Sequence, residues 1–245
     1  MTADTHRFPV ITIDGPSGAG KGTVCLKLAK ALGYQLLDSG ALYRIVGLHA
    51  YQAGLLTNAE GVVLSQLDES KLVELTQSLN IEFVPSNDNN KGDSNVHIVV
   101  NGHRVDKLIR NETVGGYASQ IAVLPAVRKA LLALQQRMAT QSGLVADGRD
   151  MGTVVFPNAD VKVFLTASAD ARAKRRVEQL KNANQSADYE QILASIVARD
   201  ERDENREASP SKPAADALVL DSSKLDVETV YTKIKQYCEQ QGICF

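Results

Sequence analysis

Little in this 245-residue chain points to an oxidised or membrane setting. Its three cysteines, Cys25, Cys238 and Cys244, form no CxxC pair and have no histidines at ligand spacing, which argues against a disulfide framework or a zinc site. An odd count of that kind suits a reducing cytoplasm, where the chain is expected to work. No apolar run approaches the length of a membrane span. A secretory leader is not expected either, because a glycine-rich loop already begins at Gly15. The net charge of −2 gives no general attraction to nucleic acid or anionic lipid, so any phosphate group must be met by a local cluster of cations. No internal repeat is visible.

What is present is a series of short, nearly continuous apolar runs: 9–14 (PVITID), 34–38 (YQLLD), 144–147 (LVAD), 161–165 (VKVFL) and 217–221 (ALVLD). Such runs read as strands covered on both faces. Helical patterns over 21–32, 125–141 and 226–241 separate them, which predicts an α/β fold with a parallel sheet flanked by helices. Cys25 falls in the first of these helices and reads as a small buried thiol. Between about 80 and 106 the pattern changes to short antiparallel strands, with Asn101-Gly102 as a two-residue hairpin turn. The polar stretch inside it, and the connector at 207–216, read as surface loops.

Gly15 to Lys21 fit G-x-x-x-x-G-K between a strand and a helix. Unpaired backbone amides at a helix start carry partial positive charge and can cradle a polyphosphate. The glycines let backbone approach oxygen atoms that a Cβ would block. Gly15, Pro16, Ser17, Gly18, Ala19, Gly20, Lys21, Gly22 and Thr23 are therefore the expected ATP-binding segment, with Lys21 reaching the β/γ bridge. The usual motif next supplies a hydroxyl to magnesium, but Gly22 stands in that slot. Either Thr23 takes over or the metal is held mostly by water and substrate phosphates. The string resembles nucleoside monophosphate kinases, which move a phosphoryl group between two nucleotides.

A second anion needs its own cations, and arginine pairs bidentately with phosphate. The segment 36–44 (LLDSGALYR) ends a strand and opens a helix, with Asp38 or Ser39 as N-cap and Arg44 one turn on. The segment 144–153 (LVADGRDMGT) has the same form. Its Asp147 stands at a strand C-terminus, where ligand crevices of open α/β sheets lie, placed to orient magnesium through water. Taken alone, Asp147 could instead cap a turn, and Arg44, Arg128 and the mixed-charge run 199–206 (RDERDENR) could be ordinary solvated positions.

Together with ASQIA (118–122), PAVRKAL (125–131), GTVVFP (152–157) and PAADALVLDSS (213–223), these segments resemble the bacterial cytidylate kinases over essentially the whole chain. The resemblance implies a P-loop core from 1–38, 107–168 and 207–245, a monophosphate-binding region at 39–106 carrying an insertion near 80–106, and a helical lid at 169–206. It implies reversible transfer of the γ-phosphoryl group of ATP to CMP or dCMP, with Mg²⁺. Ser39, Arg44 and Arg149 would bind the acceptor phosphate, and Ser119, Arg128 and Asp150 would read the cytosine. Asp203 and Arg206 would hold the acceptor sugar and phosphates, while Lys21, Arg149, Arg199 and Arg206 would neutralise the group in flight. Among the lid arginines Arg172, Arg175 and Arg176, the resemblance implies that Arg176 meets ATP. It also implies a cytoplasmic monomer without nucleic-acid or membrane partners. Two other readings stay open: a kinase for another small acceptor, and a GTP switch if Asn90–Asp93 (NKGD) is a guanine-reading motif. A matching D-x-x-G motif occurs nowhere in the chain.

Overall fold

The computed structural model describes residues 8–56, 68–85, 96–205 and 209–245. The NKGD tetrapeptide and Arg206 lie outside the described residues. The described residues fall into two compact units, drawn from Met1–Leu36 with Met138–Phe245 and from Leu37–Arg137.

The first unit is built on β1 (Val10–Asp14), β6 (Leu144–Gly148), β7 (Val161–Thr166) and β8 (Leu218–Asp221), with α1 (Lys21–Leu32) and α9 (Val227–Gln240) packed on the sheet. β1 pairs parallel with both β6 and β7, and β7 pairs parallel with β8. The full sheet order is β2-β6-β1-β7-β8, where β2 (Gln35–Asp38) is the strand in which the chain leaves this unit. The parallel α/β architecture expected from the apolar runs is thus what forms. β1, β6 and β7 are buried nearly throughout, because helices cover both faces. The edge strands depart from that reading. β8 alternates between half-buried and exposed, and Val219 is 56% exposed. The core gathers Ile11, Ile13, Leu28, Val145, Val163 and Ile234, each at most 1% exposed. Complete burial of one such side chain contributes about 1.5–3 kcal/mol.

Between β7 and β8 stand α7 (Ala169–Asn182) and α8 (Tyr189–Asn205). Arg172 of α7 donates to the Asp200 carboxylate of α8 through both terminal nitrogens, which joins the two helices by a bidentate pair.

The second unit contains α2 (Ser39–Gln52), α3 (Glu69–Ser78), a three-stranded antiparallel sheet of β3 (Ile81–Pro85), β4 (Val96–Val100) and β5 (His103–Arg104), and then α4 (Asp106–Ile109), α5 (Glu112–Ile121) and α6 (Pro125–Met138). The hairpin expected at Asn101-Gly102 joins β4 to β5, and both turn residues have positive φ, 49° and 80°. Asp38 is the N-cap of α2 and accepts from the Ala41 amide at 3.0 Å. Tyr51 of α2 and Tyr117 of α5 stack with centroids 4.6 Å apart. By compactness residues 107–137 group with 37–106.

Candidate active site

The loop between β1 and α1 is shaped by positive-φ glycines and held by side chains from distant parts of the chain. Gly15 has φ 138°, and a Cβ there would lie 2.0 Å from the Leu165 carbonyl oxygen, so only glycine fits. α1 begins at Lys21 behind a left-handed Gly20 with no side-chain cap bond, which leaves its first amides for an anion. Carbonyl oxygens would repel a phosphate, and three of those in the loop have side-chain donors. Lys21 Nζ donates to Pro16 O at 3.0 Å, and Arg172 Nη1 donates to Ser17 O at 3.1 Å. The buried Ser222 hydroxyl lies 3.0 Å from both Ala19 O and Thr166 O.

Lys21 is only 6% exposed, and its Nζ lies 3.6 Å from Oδ1 of Asp147 at the end of β6. Burial pushes the ammonium below the ordinary lysine range, the Asp147 carboxylate opposes that, and the nearby Arg149 charge adds to it. A Cβ on Gly22 would lie 3.5 Å from Asp147 Oδ2, an ordinary contact. The slot normally filled by a hydroxyl therefore faces the Asp147 carboxylate. Thr23, the residue after Gly22, is exposed.

After β6 the chain runs through Arg149 and Asp150 into one π-helical turn, Met151–Val155. Arg149 Nε donates to Asp203 Oδ2 of α8 at 2.9 Å, so one ion pair links two of the expected acceptor-side residues. Asp150 is buried. Arg176 on α7 and Arg199 on α8 are half-buried. Arg172 of α7 is 4% exposed, its guanidinium bonded to Asp200, Ala167 O and Ser17 O. Arg175 is turned to the Ser222 carbonyl.

The remaining sequence-predicted residues lie in the second unit. Arg44 Nη1 donates to the carbonyls of Ile109 and Asn111 at 2.9 and 2.8 Å, which ties α2 to the turn between α4 and α5. It is not a solvated arginine. Ser119 donates to Gly115 O at 3.1 Å within α5. Arg128 of α6 donates to Ala122 O at 3.1 Å and lies over the Tyr43 ring, 5.8 Å from its centroid. Ser39 is buried at the start of α2. The structure thus collects Lys21, Asp147, Arg149, Asp150 and Asp203 in one unit, and Ser39, Arg44, Ser119 and Arg128 in the other.

Comparison with known proteins gives this arrangement a family. Residues 11–240 match the family model described as cytidylate kinase. The chain belongs to the cytidylate kinase family. A cytidylate kinase of Pasteurella multocida is 51% identical over 231 residues, covering 94% of this chain and 95% of that protein. One of Actinobacillus succinogenes is 52% identical over 234 residues, 95% of this chain and 99% of the relative. Among solved structures, an uncharacterized protein from Eubacterium ventriosum superposes with TM-score 0.50 at 12% identity, covering 94% of this chain and 98% of that one, which speaks to fold alone.

Two features of this cytidylate kinase family member escaped the sequence reading. Asp14, the last residue of β1, turns its carboxylate onto the amides of Met151 and Gly152, at 2.8 Å each. The π turn itself left no periodic signal, since a single turn is shorter than any window in which a helical repeat can be seen. The only hint of Asp14 was an acid at the end of a buried strand.

Proposed function

We propose that the chain transfers the γ-phosphoryl group of ATP to CMP or dCMP, reversibly, giving ADP and CDP or dCDP. The observation that carries this is the glycine loop with its buried Lys21 facing Asp147, in a chain of the cytidylate kinase family. No general base is required, because the attacking group is already an anionic phosphate oxygen. The work is alignment and charge neutralisation. Lys21 supplies a fixed point charge, desolvated and therefore strong. Arg149, oriented by Asp203, and Arg199 and Arg206 meet the acceptor and transferring phosphates. Ser39 and Arg44 hold the acceptor phosphate. Asp150, Ser119 and Arg128 read the cytosine. The N4 amine of cytosine donates while N3 and O2 accept, a pattern that uracil reverses in part and that a buried carboxylate can tell apart.

The residues fit a magnesium ion. Magnesium keeps several waters and takes few protein ligands, and Asp147 offers one carboxylate at the loop with Thr23 beside it. Bound there, the ion would neutralise charge on the phosphate oxygens. The half-buried Arg176 of α7 is the proposed ATP contact of a lid formed by α7 and α8, whose closure would keep water from competing as acceptor. We propose the same cytoplasmic, monomeric setting as the family resemblance implies, with no nucleic-acid or membrane partner.

An acceptor panel tests the reading. With ATP and magnesium, ADP release should follow CMP and dCMP strongly and UMP and AMP weakly. Absence of CMP-dependent ADP release would overturn it.

A further inference from the structure

β1 ends at Asp14, which is only 5% exposed. Its two oxygens each accept one backbone amide, Met151 N on Oδ1 and Gly152 N on Oδ2, both at 2.8 Å. Those are the first two amides of the π turn, groups that have no acceptor within their own turn. An aspartate at the N-cap, here Asp150, ordinarily accepts such amides itself. Asp150 makes no side-chain cap bond. The capping task has passed to a residue 137 positions away, and Asp150 is spared it.

The contact is also sterically fitted. A Cβ on Gly152 would lie 2.8 Å from Thr12 Oγ1 and 3.4 Å from Asp14 Oδ2, so the turn can come this close to β1 only with glycine there. The arrangement is costly. Burial pushes the Asp14 carboxyl up to about 6, the two amides work against that rise, Asp150 adds to it and Lys21 opposes it. The π turn follows directly on Arg149 and Asp150.

We propose that Asp14 is a positioning residue: by clamping the Met151 and Gly152 amides, its carboxylate fixes the direction in which the Arg149 and Asp150 side chains leave the sheet, and hence the fit of the acceptor nucleotide. This rests on the assignment of Asp150 to the cytosine. Asp14→Asn keeps the size of the side chain but replaces one acceptor oxygen with an amide NH2 donor. The variant should raise the KM for CMP and lower the preference for CMP over UMP, each by about tenfold or more, with the KM for ATP within about twofold. Amide exchange at Met151 and Gly152 should quicken. Gly152→Ala, which disturbs the clamp from the opposite side, should reproduce both effects, and it carries the test by the same criteria if Asp14→Asn fails to fold.

CMP parameters and amide exchange close to the parent in a folded Asp14→Asn would overturn the proposal. So would equal losses for ATP and CMP, which would mean that Asp14 acts through the loop and Lys21. Asp150→Ala separates the two readings. If it leaves the preference for CMP intact, the base assignment fails, and exchange at Met151 and Gly152 then decides the clamp alone.

Discussion

At the scale of single residues, Asp14 makes a prediction about stability as well as catalysis. Its carboxyl is raised from 3.8 to about 6, chiefly by burial, with the Gly152 and Met151 amides opposing and the charges of Asp150 and Lys21 acting in opposite senses. A folded-state value above the unfolded one means that the folded chain binds the proton more firmly between those limits. The stability this group contributes is therefore full below pH 3.8, falls as pH rises and is lost above about 6. Asp14→Asn has no such dependence, so its urea midpoint should gain on the parent's between pH 4 and 6 and hold a constant offset above. A constant offset across the whole range would show that Asp14 does not titrate there. Gly22 shows how much one residue can tell in advance. Its missing hydroxyl set this chain apart from most P-loops in the sequence itself. That the slot faces the Asp147 carboxylate was not legible, because Asp147 lies 125 positions away in the chain and reaches the loop through strand pairing.

At the scale of elements, local chemistry carried far. The glycine loop, α1 over 21–32, the hairpin turn at Asn101-Gly102 and the central strands all rest on short-range rules, and they form where those rules put them. The edge strands were harder to read, since β8 is as apolar a run as β7 but among the described residues has a neighbour on one side only. Contacts such as Arg44 with the Ile109 and Asn111 carbonyls, or Arg172 with Ser17, were invisible because no spacing rule connects them. The sequence left the N-cap of α2 between two residues, and Asp38 holds it through the Ala41 amide. Asp38→Ala should cost about 1 kcal/mol, which for a chain of this size lowers Tm by roughly 2–4 °C. A thermal melt of the two proteins checks it. An unchanged Tm would mean that the cap bond contributes nothing.

At the scale of the whole molecule, the cysteines give an inexpensive measure of integrity. Cys25 and Cys238 are buried and Cys244 is exposed. Burial pushes the Cys238 thiol up to about 12, so it carries almost no thiolate near neutrality. A thiol-reactive chromophore should label one cysteine in the folded chain and all three after denaturation. Rapid labelling of two or more without denaturant would show that the helices over the sheet open readily. The serine beneath the glycine loop bears on biosynthesis. Ser222 steadies Ala19 from a position 203 residues further along. A growing polypeptide that has just emerged through its first helix already carries every glycine of the motif, yet the brace under them is still to be translated. Capture of ATP should therefore arrive late, when the final strand docks, and nascent chains stopped before that serine should ignore the nucleotide.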